Sequence, residues 1–138
     1  MRKIFTIGYG DKDFEEFTKI LKENGIEQVI DVRHFPTSKW PEYKKGKLEE
    51  NLTENRVEYH HLEDLGGYRD EGYSNYAETK EFKRGLEKLT VLAEEKKTVI
   101  MCLESLPSSC HRRFIANKLE ERGWDIIHLV GKKGRILK

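Results

Sequence analysis

The sequence predicts an α/β fold: a mainly parallel five-stranded sheet flanked by helices, a Rossmann-like three-layer sandwich. Three observations carry this expectation. Short apolar runs of strand length recur along the chain, as KIFTIG, EQVID, VEYHHL, TVIMCL and WDIIHLV. Each consecutive pair is separated by a segment with helical spacing of its apolar residues. No internal repeat and no linker-like stretch interrupts the succession, so a single domain over residues 1–138 is expected, with a basic tail from about 131.

The elements follow in order. Lys3 to Ile7 reads as a buried strand stopped by Gly8 and Gly10. Asp11 or Asp13 then caps a helix whose apolar face is Phe14, Phe17, Ile20 and Leu21, ending at Asn24-Gly25. Gln28 to Val32 is the second strand, broken by Pro36, and the charged segment Thr37 to Gly46 is an exposed loop. Leu48 and Leu52 fit a short helix ending near Asn55, and VEYHHL is the third strand. GGYRDEGYSN is a long loop bearing glycine and tyrosine. Lys80 to Glu95 aligns Phe82, Leu86, Leu89, Leu92 and Ala93 on one helical face. TVIMCL is the fourth strand, a helix runs from Ser109 or Cys110 to Arg122, WDIIHLV is the fifth strand, and GKKGRILK is a frayed tail.

Charged residues make up 37% of the chain, well above the usual quarter, and hydrophobic residues 36%. With 26 basic against 25 acidic residues there is no global field to draw the protein to nucleic acid or to a membrane. The Lys- and Glu-rich surface resembles those of heat-stable proteins. No apolar run approaches the roughly 20 residues of a membrane span, and the N-terminus lacks a signal-peptide pattern. A cytoplasmic protein with reduced thiols is expected. Two cysteines build no disulfide scaffold, and no CxxC pair suggests a zinc ribbon.

In open parallel sheets, ligands bind beyond the carboxyl ends of the strands. Those ends carry Gly8-Tyr9, Asp31 and Arg33, His60-His61, Cys102 and Glu104, and His128, while the amino ends carry little chemistry. Cys110-His111-Arg112 falls in the first turn of the last helix, where free amides and the helix dipole favour an anion and lower a thiol pKa. The turn is therefore an anion-binding or nucleophilic site, or else a packed junction in which His111 and Arg112 satisfy nearby carbonyls or Glu104. Cys102 follows an apolar strand and reads as core. A Cys102–Cys110 disulfide fits poorly with a reducing compartment, and a zinc site would need His60 or His61 from a distant segment. Glu104 is an acid–base group or an ion-pair partner, and Asp31 and Arg33 share one face of an extended strand. Leu65-Gly66-Gly67 lets backbone approach a ligand, or simply turns. Lys39, Trp40, Tyr43, Lys44 and Lys45 interleave aromatic and basic side chains, a pattern suited to bases and phosphates and also to an ordinary solvated loop.

The succession TIGYG, IDVRHFPTS, YHHLEDLGGYR, YSNYAETKEFKRGLEKL and IMCLESLPSSCHRRFIANKLEERGWDIIHL resembles the domain-of-unknown-function family 488 over residues 3 to 129. Its most specific part is the C-x-E-x5-CHR signature, carried by Cys102, Glu104, Cys110, His111 and Arg112. The first strand in such proteins often ends Gly-His-Ser, whereas this chain has Gly8-Tyr9-Gly10, so a role for a histidine there does not carry over. The resemblance implies an α/β domain and a location for the site, and it implies no reaction. IDVR also resembles the opening strand of rhodanese-like domains, an analogy only.

Taken together, these features point to a small enzyme acting on an anionic, phosphate-bearing substrate such as a nucleotide or nucleic acid. The expected catalytic groups are Cys110, His111, Glu104 and Asp31. The expected substrate contacts are Arg112, Arg33, Gly8, Tyr9, Gly66, Gly67, Arg69, His61 and His128. No metal, no cofactor and no membrane partner is expected, and the sequence leaves the oligomeric state open. The alternatives are a non-catalytic nucleic-acid or nucleotide binding module and a thiol redox or metal-binding protein.

Overall fold

The computed structural model describes residues 2–66, 72–104, 106 and 111–137. Strands β1 (Lys3–Gly8), β2 (Gln28–Asp31), β3 (Glu58–His61), β4 (Thr98–Cys102), β5 (Asp125–Val130) and β6 (Arg135–Leu137) form one sheet in the order β3-β2-β4-β1-β5-β6. The first five are parallel, and β6 pairs antiparallel with β5 from His128↔Leu137 to Val130↔Arg135. The sheet is therefore six-stranded and mixed, so the expected five-stranded, Rossmann-like description is approximate. The C-terminal tail is not frayed: Gly131 and Gly134, both at positive φ (75° and 67°), close a four-residue turn that returns the chain along β5.

The helices are α1 (Phe14–Glu23), α2 (Lys45–Glu54), the one-turn α3 (Tyr73–Tyr76), α4 (Lys80–Glu95) and α5 (Arg112–Glu121). Asp13 caps α1 in a capping box with Glu16, which settles the choice between Asp11 and Asp13. Thr79 caps α4, whose span coincides with the sequence expectation. The predicted GGYRDEGYSN loop contains α3 at its end, and α5 begins at Arg112 with His111 as its cap residue, later than expected.

Alternation along the strands sorts the interior into two layers. Ile4, Ile30, Ile100 and Ile126 pack beneath Phe82, Leu86 and Leu89 of α4 and Ile115 and Leu119 of α5. Phe5, Ile7, Val29, Val99 and Ile127 face the other way, against Phe17, Ile20 and Leu21 of α1 and Leu48 and Leu52 of α2. The connectivity explains the division. From β1 through β2 to β3 the chain moves toward one edge, and from β3 through β4 to β5 it moves back. Right-handed crossovers running in opposite directions put their helices on opposite faces. The reversal falls at the carboxyl ends of β1, β2 and β4, neighbouring strands whose helices diverge, the place where open α/β sheets bind ligands.

Gly66 packs against this region. A Cβ there would lie 2.5 Å from His34 Cα and 2.7 Å from His34 N, both backbone atoms. Its φ of −67° is open to any residue, so sterics alone require glycine. Gly66→Ala is expected to lower stability by about 1–3 kcal/mol through overpacking, measured by chemical denaturation. A loss under a few tenths of a kcal/mol would mean that the His34 segment moves freely.

Candidate functional site

The polar residues at the strand ends do not form one constellation. Strand alternation divides them between the two faces of the sheet.

On the α1/α2 face, Asp31 is fully buried. Arg33 donates to it from Nε (2.9 Å) and Nη2 (2.7 Å), its backbone N–H adds a third bond at 3.0 Å, and the Tyr59 hydroxyl donates at 2.5 Å. Arg33 Nη1 then donates to the carbonyls of Tyr43 (2.7 Å) and Thr37 (3.2 Å) and lies 3.4 Å from the Tyr9 hydroxyl. Burial opposes the Arg33 charge, but Asp31 outweighs it and the pKa is raised. Burial and the Asp31 charge push Tyr59 upward, so it stays a neutral donor. Tyr9, 2% exposed, stacks on Tyr43 with centroids 4.2 Å apart and meets Trp40 edge-on at 6.4 Å. This cluster ties the connection between β2 and α2 to the sheet. Arg33 holds both arms of that loop, and Lys45 N–H closes it onto Pro36 O at 3.0 Å.

On the α4/α5 face, Arg112 has no exposed surface. Its Nη1 donates to Thr6 Oγ1 (3.1 Å) and its Nη2 to the carbonyl of Glu104 (2.7 Å). Burial lowers its pKa to about 10, against the pull of the Glu104 and Asp11 charges. Thr6 Oγ1 lies 2.6 Å from His128 Nδ1. The Thr6 hydroxyl accepts from Arg112 and pairs with His128 Nδ1 as donor or second acceptor, according to the tautomer of the ring. Burial and the Arg112 charge both lower the His128 pKa. His111 Nε2 donates to Val32 O at 2.8 Å, making Nδ1 the basic nitrogen of the neutral ring. Its ring centroid lies 5.0 Å from that of Tyr73.

The remaining candidates are dispersed. His61 Nε2 donates to Arg33 O at 2.7 Å, and His61 also lines a cavity of about 230 Å³ with Asp64, Gly85 and Lys88. Gly8 O accepts from Lys12 Nζ at 2.7 Å. Glu104 is exposed. Cys102 is buried and disulfide-bonded, which corrects the expectation of reduced thiols at this residue. Cys110, Gly67 and Arg69 lie outside the described residues.

Sequence reasoning missed Thr6, Lys12 and Tyr59, and it placed Tyr43 among the loop residues suited to bases and phosphates, whereas Tyr43 is buried. Thr6 had a signal, as the one hydroxyl inside an otherwise apolar strand. Lys12, with its side chain fully buried and bonded to Asp11 at 2.8 Å, had none. No described group of His, Cys, Asp or Glu is arranged to hold a metal, and no described helix is long and apolar enough to cross a membrane.

A family model for the domain of unknown function DUF488 matches residues 13–119. The chain belongs to the DUF488 family. The matched region runs from the α1 cap through most of α5, so it includes Arg33, Glu104, His111 and Arg112 but not β1, with Thr6 and Tyr9, nor His128. Comparisons with curated proteins and with solved structures found no match.

Proposed function

We propose that this DUF488 protein is a small enzyme that takes a phosphate-bearing anion on the Arg112 side of the carboxyl rim of the sheet. Arg112 itself carries the reading. It is a fully buried guanidinium that donates to the Thr6 hydroxyl and the Glu104 carbonyl, at the first residue of α5, where the helix dipole adds positive potential. Burial disfavours that charge, against the pull of the Glu104 and Asp11 carboxylates, and a phosphate would favour it through charge-assisted bonds. Glu104 and the Nδ1 atom of His111 are assigned the acid–base work. Asp31 and Arg33 are assigned to holding the β2–α2 loop rather than to catalysis or substrate contact. Cys102, already in a disulfide, is not the nucleophile. Tyr9 favours a second reading, a binding module without turnover: it stands where relatives often carry histidine, and it is packed between Tyr43 and Arg33 instead of facing a ligand.

His128 provides the test. The Arg112 charge lowers its pKa, so inorganic phosphate beside Arg112 is expected to raise its titration midpoint, followed by NMR of the imidazole. An unmoved midpoint at saturating phosphate would sink the site. A linked effect has a definite sign. Because the folded-state pKa lies below 6.5, the unfolded chain takes up this proton first. Stability is expected to fall as pH drops below about 6.5, and phosphate is expected to lessen that fall.

A further inference from the structure

The β2–α2 connection presents side chains that the anion site does not use. Phe35 is 64% exposed and Trp40 38% exposed. Lys39 Nζ lies 4.6 Å from the Trp40 ring centroid. Between residues 35 and 47 the chain carries Lys39, Lys44, Lys45 and Lys47, all exposed, against the single acid Glu42. This local excess stands out in a protein whose formal net charge is only +1. The loop is also held in shape, by Arg33 on the carbonyls of Thr37 and Tyr43 and by Lys45 N–H on Pro36 O. Exposed aromatic faces beside lysines on a fixed backbone match a ligand with flat, apolar rings and closely spaced negative charges.

The loop is continuous with the anion site. Trp40 touches Tyr9, Gly10 N–H donates to Leu103 O at 2.8 Å, and the next residue, Glu104, accepts from Arg112. A Cβ on Gly10 would lie 2.7 Å from Leu103 O, so this bridge between the faces has no room for a side chain. Leu103 is itself exposed. The aromatic–lysine surface and Arg112 lie toward opposite faces of the sheet, so a ligand using both must pass over the rim and repeat its phosphates.

We propose that the substrate is single-stranded nucleic acid, with bases stacked on Trp40 and Phe35, backbone phosphates beside Lys39, Lys44 and Lys45, and a further phosphate reaching Arg112. This rests on the anion-site reading for its last contact only. Duplex DNA fits less well, because its bases are already stacked on one another and present no faces to Trp40.

Trp40 and Trp124 are the only tryptophans, and Trp124 is buried at the amino end of β5 beneath Arg2. Oligothymidylate of ten nucleotides is expected to quench Trp40 fluorescence and to bind with a Kd that rises steeply with salt, by about 0.7 log units per log unit of salt for each phosphate contact. Trp40→Ala is expected to weaken binding, read by anisotropy of a labelled oligonucleotide, on the order of 10-fold. Lys44→Gln with Lys45→Gln, both at exposed positions, is expected to reduce the salt slope without changing the fold. Absence of binding at low salt, equal affinity for duplex, or full affinity in Trp40→Ala would overturn the proposal. Inorganic phosphate separates the two readings. If phosphate still shifts His128 while oligothymidylate fails to bind, the anion site stands and this inference falls. If oligothymidylate quenches Trp40 while phosphate leaves His128 unmoved, the loop surface stands and the Arg112 site falls.

Discussion

Arg33→Met is expected to destabilise the protein by about 3–5 kcal/mol, a drop of roughly 10 °C or more in Tm. The substitution leaves Asp31 as a fully buried carboxylate with only the Tyr59 hydroxyl and one backbone N–H to satisfy it. It also removes the donors that hold the Thr37 and Tyr43 carbonyls, so the β2–α2 loop loosens in the same step. Arg33→Lys is not expected to rescue, because a single ammonium cannot match the fork that reaches both Asp31 oxygens and the loop. The double variant Asp31→Leu, Arg33→Met is expected to cost clearly less than the sum of its parts, since no charge remains buried. Additive single and double losses in denaturant titrations would dissolve the clamp.

Arg112→Met is expected to do the opposite. Both arginines are buried, but Arg33 answers a buried carboxylate, while the described hydrogen bonds of Arg112 run to Thr6 and to the Glu104 carbonyl. Removing the charge relieves its desolvation and forfeits its hydrogen bonds, those to Thr6 and the Glu104 carbonyl among them, effects expected to be of similar size. Stability should stay within about 1 kcal/mol of the wild type. What should disappear is the response to ligand. Phosphate at 100 times its Kd is expected to stabilise the wild-type fold by about 2.7 kcal/mol, and the variant should show none of it by thermal denaturation. A loss of 3 kcal/mol or more with the phosphate response intact would assign Arg112 to the fold instead. This pair of outcomes would separate a residue kept for folding from one kept for a ligand.

Much of the fold was legible in the sequence. The α4 span and the apolar face of α1 follow from helical periodicity, and the five parallel strands from short apolar runs, signals that depend only on neighbouring residues. The last strand was missed although Gly131-Lys132-Lys133-Gly134 is a turn signal, because the charged tail lacks the apolar alternation that marks a buried strand. The candidate site was legible as a rim but not as a geometry. Gathering Asp31 and Arg33 with Glu104 and Arg112 treated the carboxyl ends as one point, when alternation turns Asp31 toward α1 and α2 and leaves Thr6 facing α5.

The succession of the first five strands and the rim on which polar and reactive residue types collect were readable from the sequence alone, because both are encoded by local pattern and by residue type. Which partner each buried charged group meets is a matter of tertiary structure. Whether a buried arginine meets a carboxylate, as Arg33 meets Asp31 and the Tyr43 carbonyl, or a hydroxyl, as Arg112 meets Thr6 from 106 positions away, depends on which strands and helices come together. That outcome is set by strand order and crossover handedness, which no window of neighbouring residues contains.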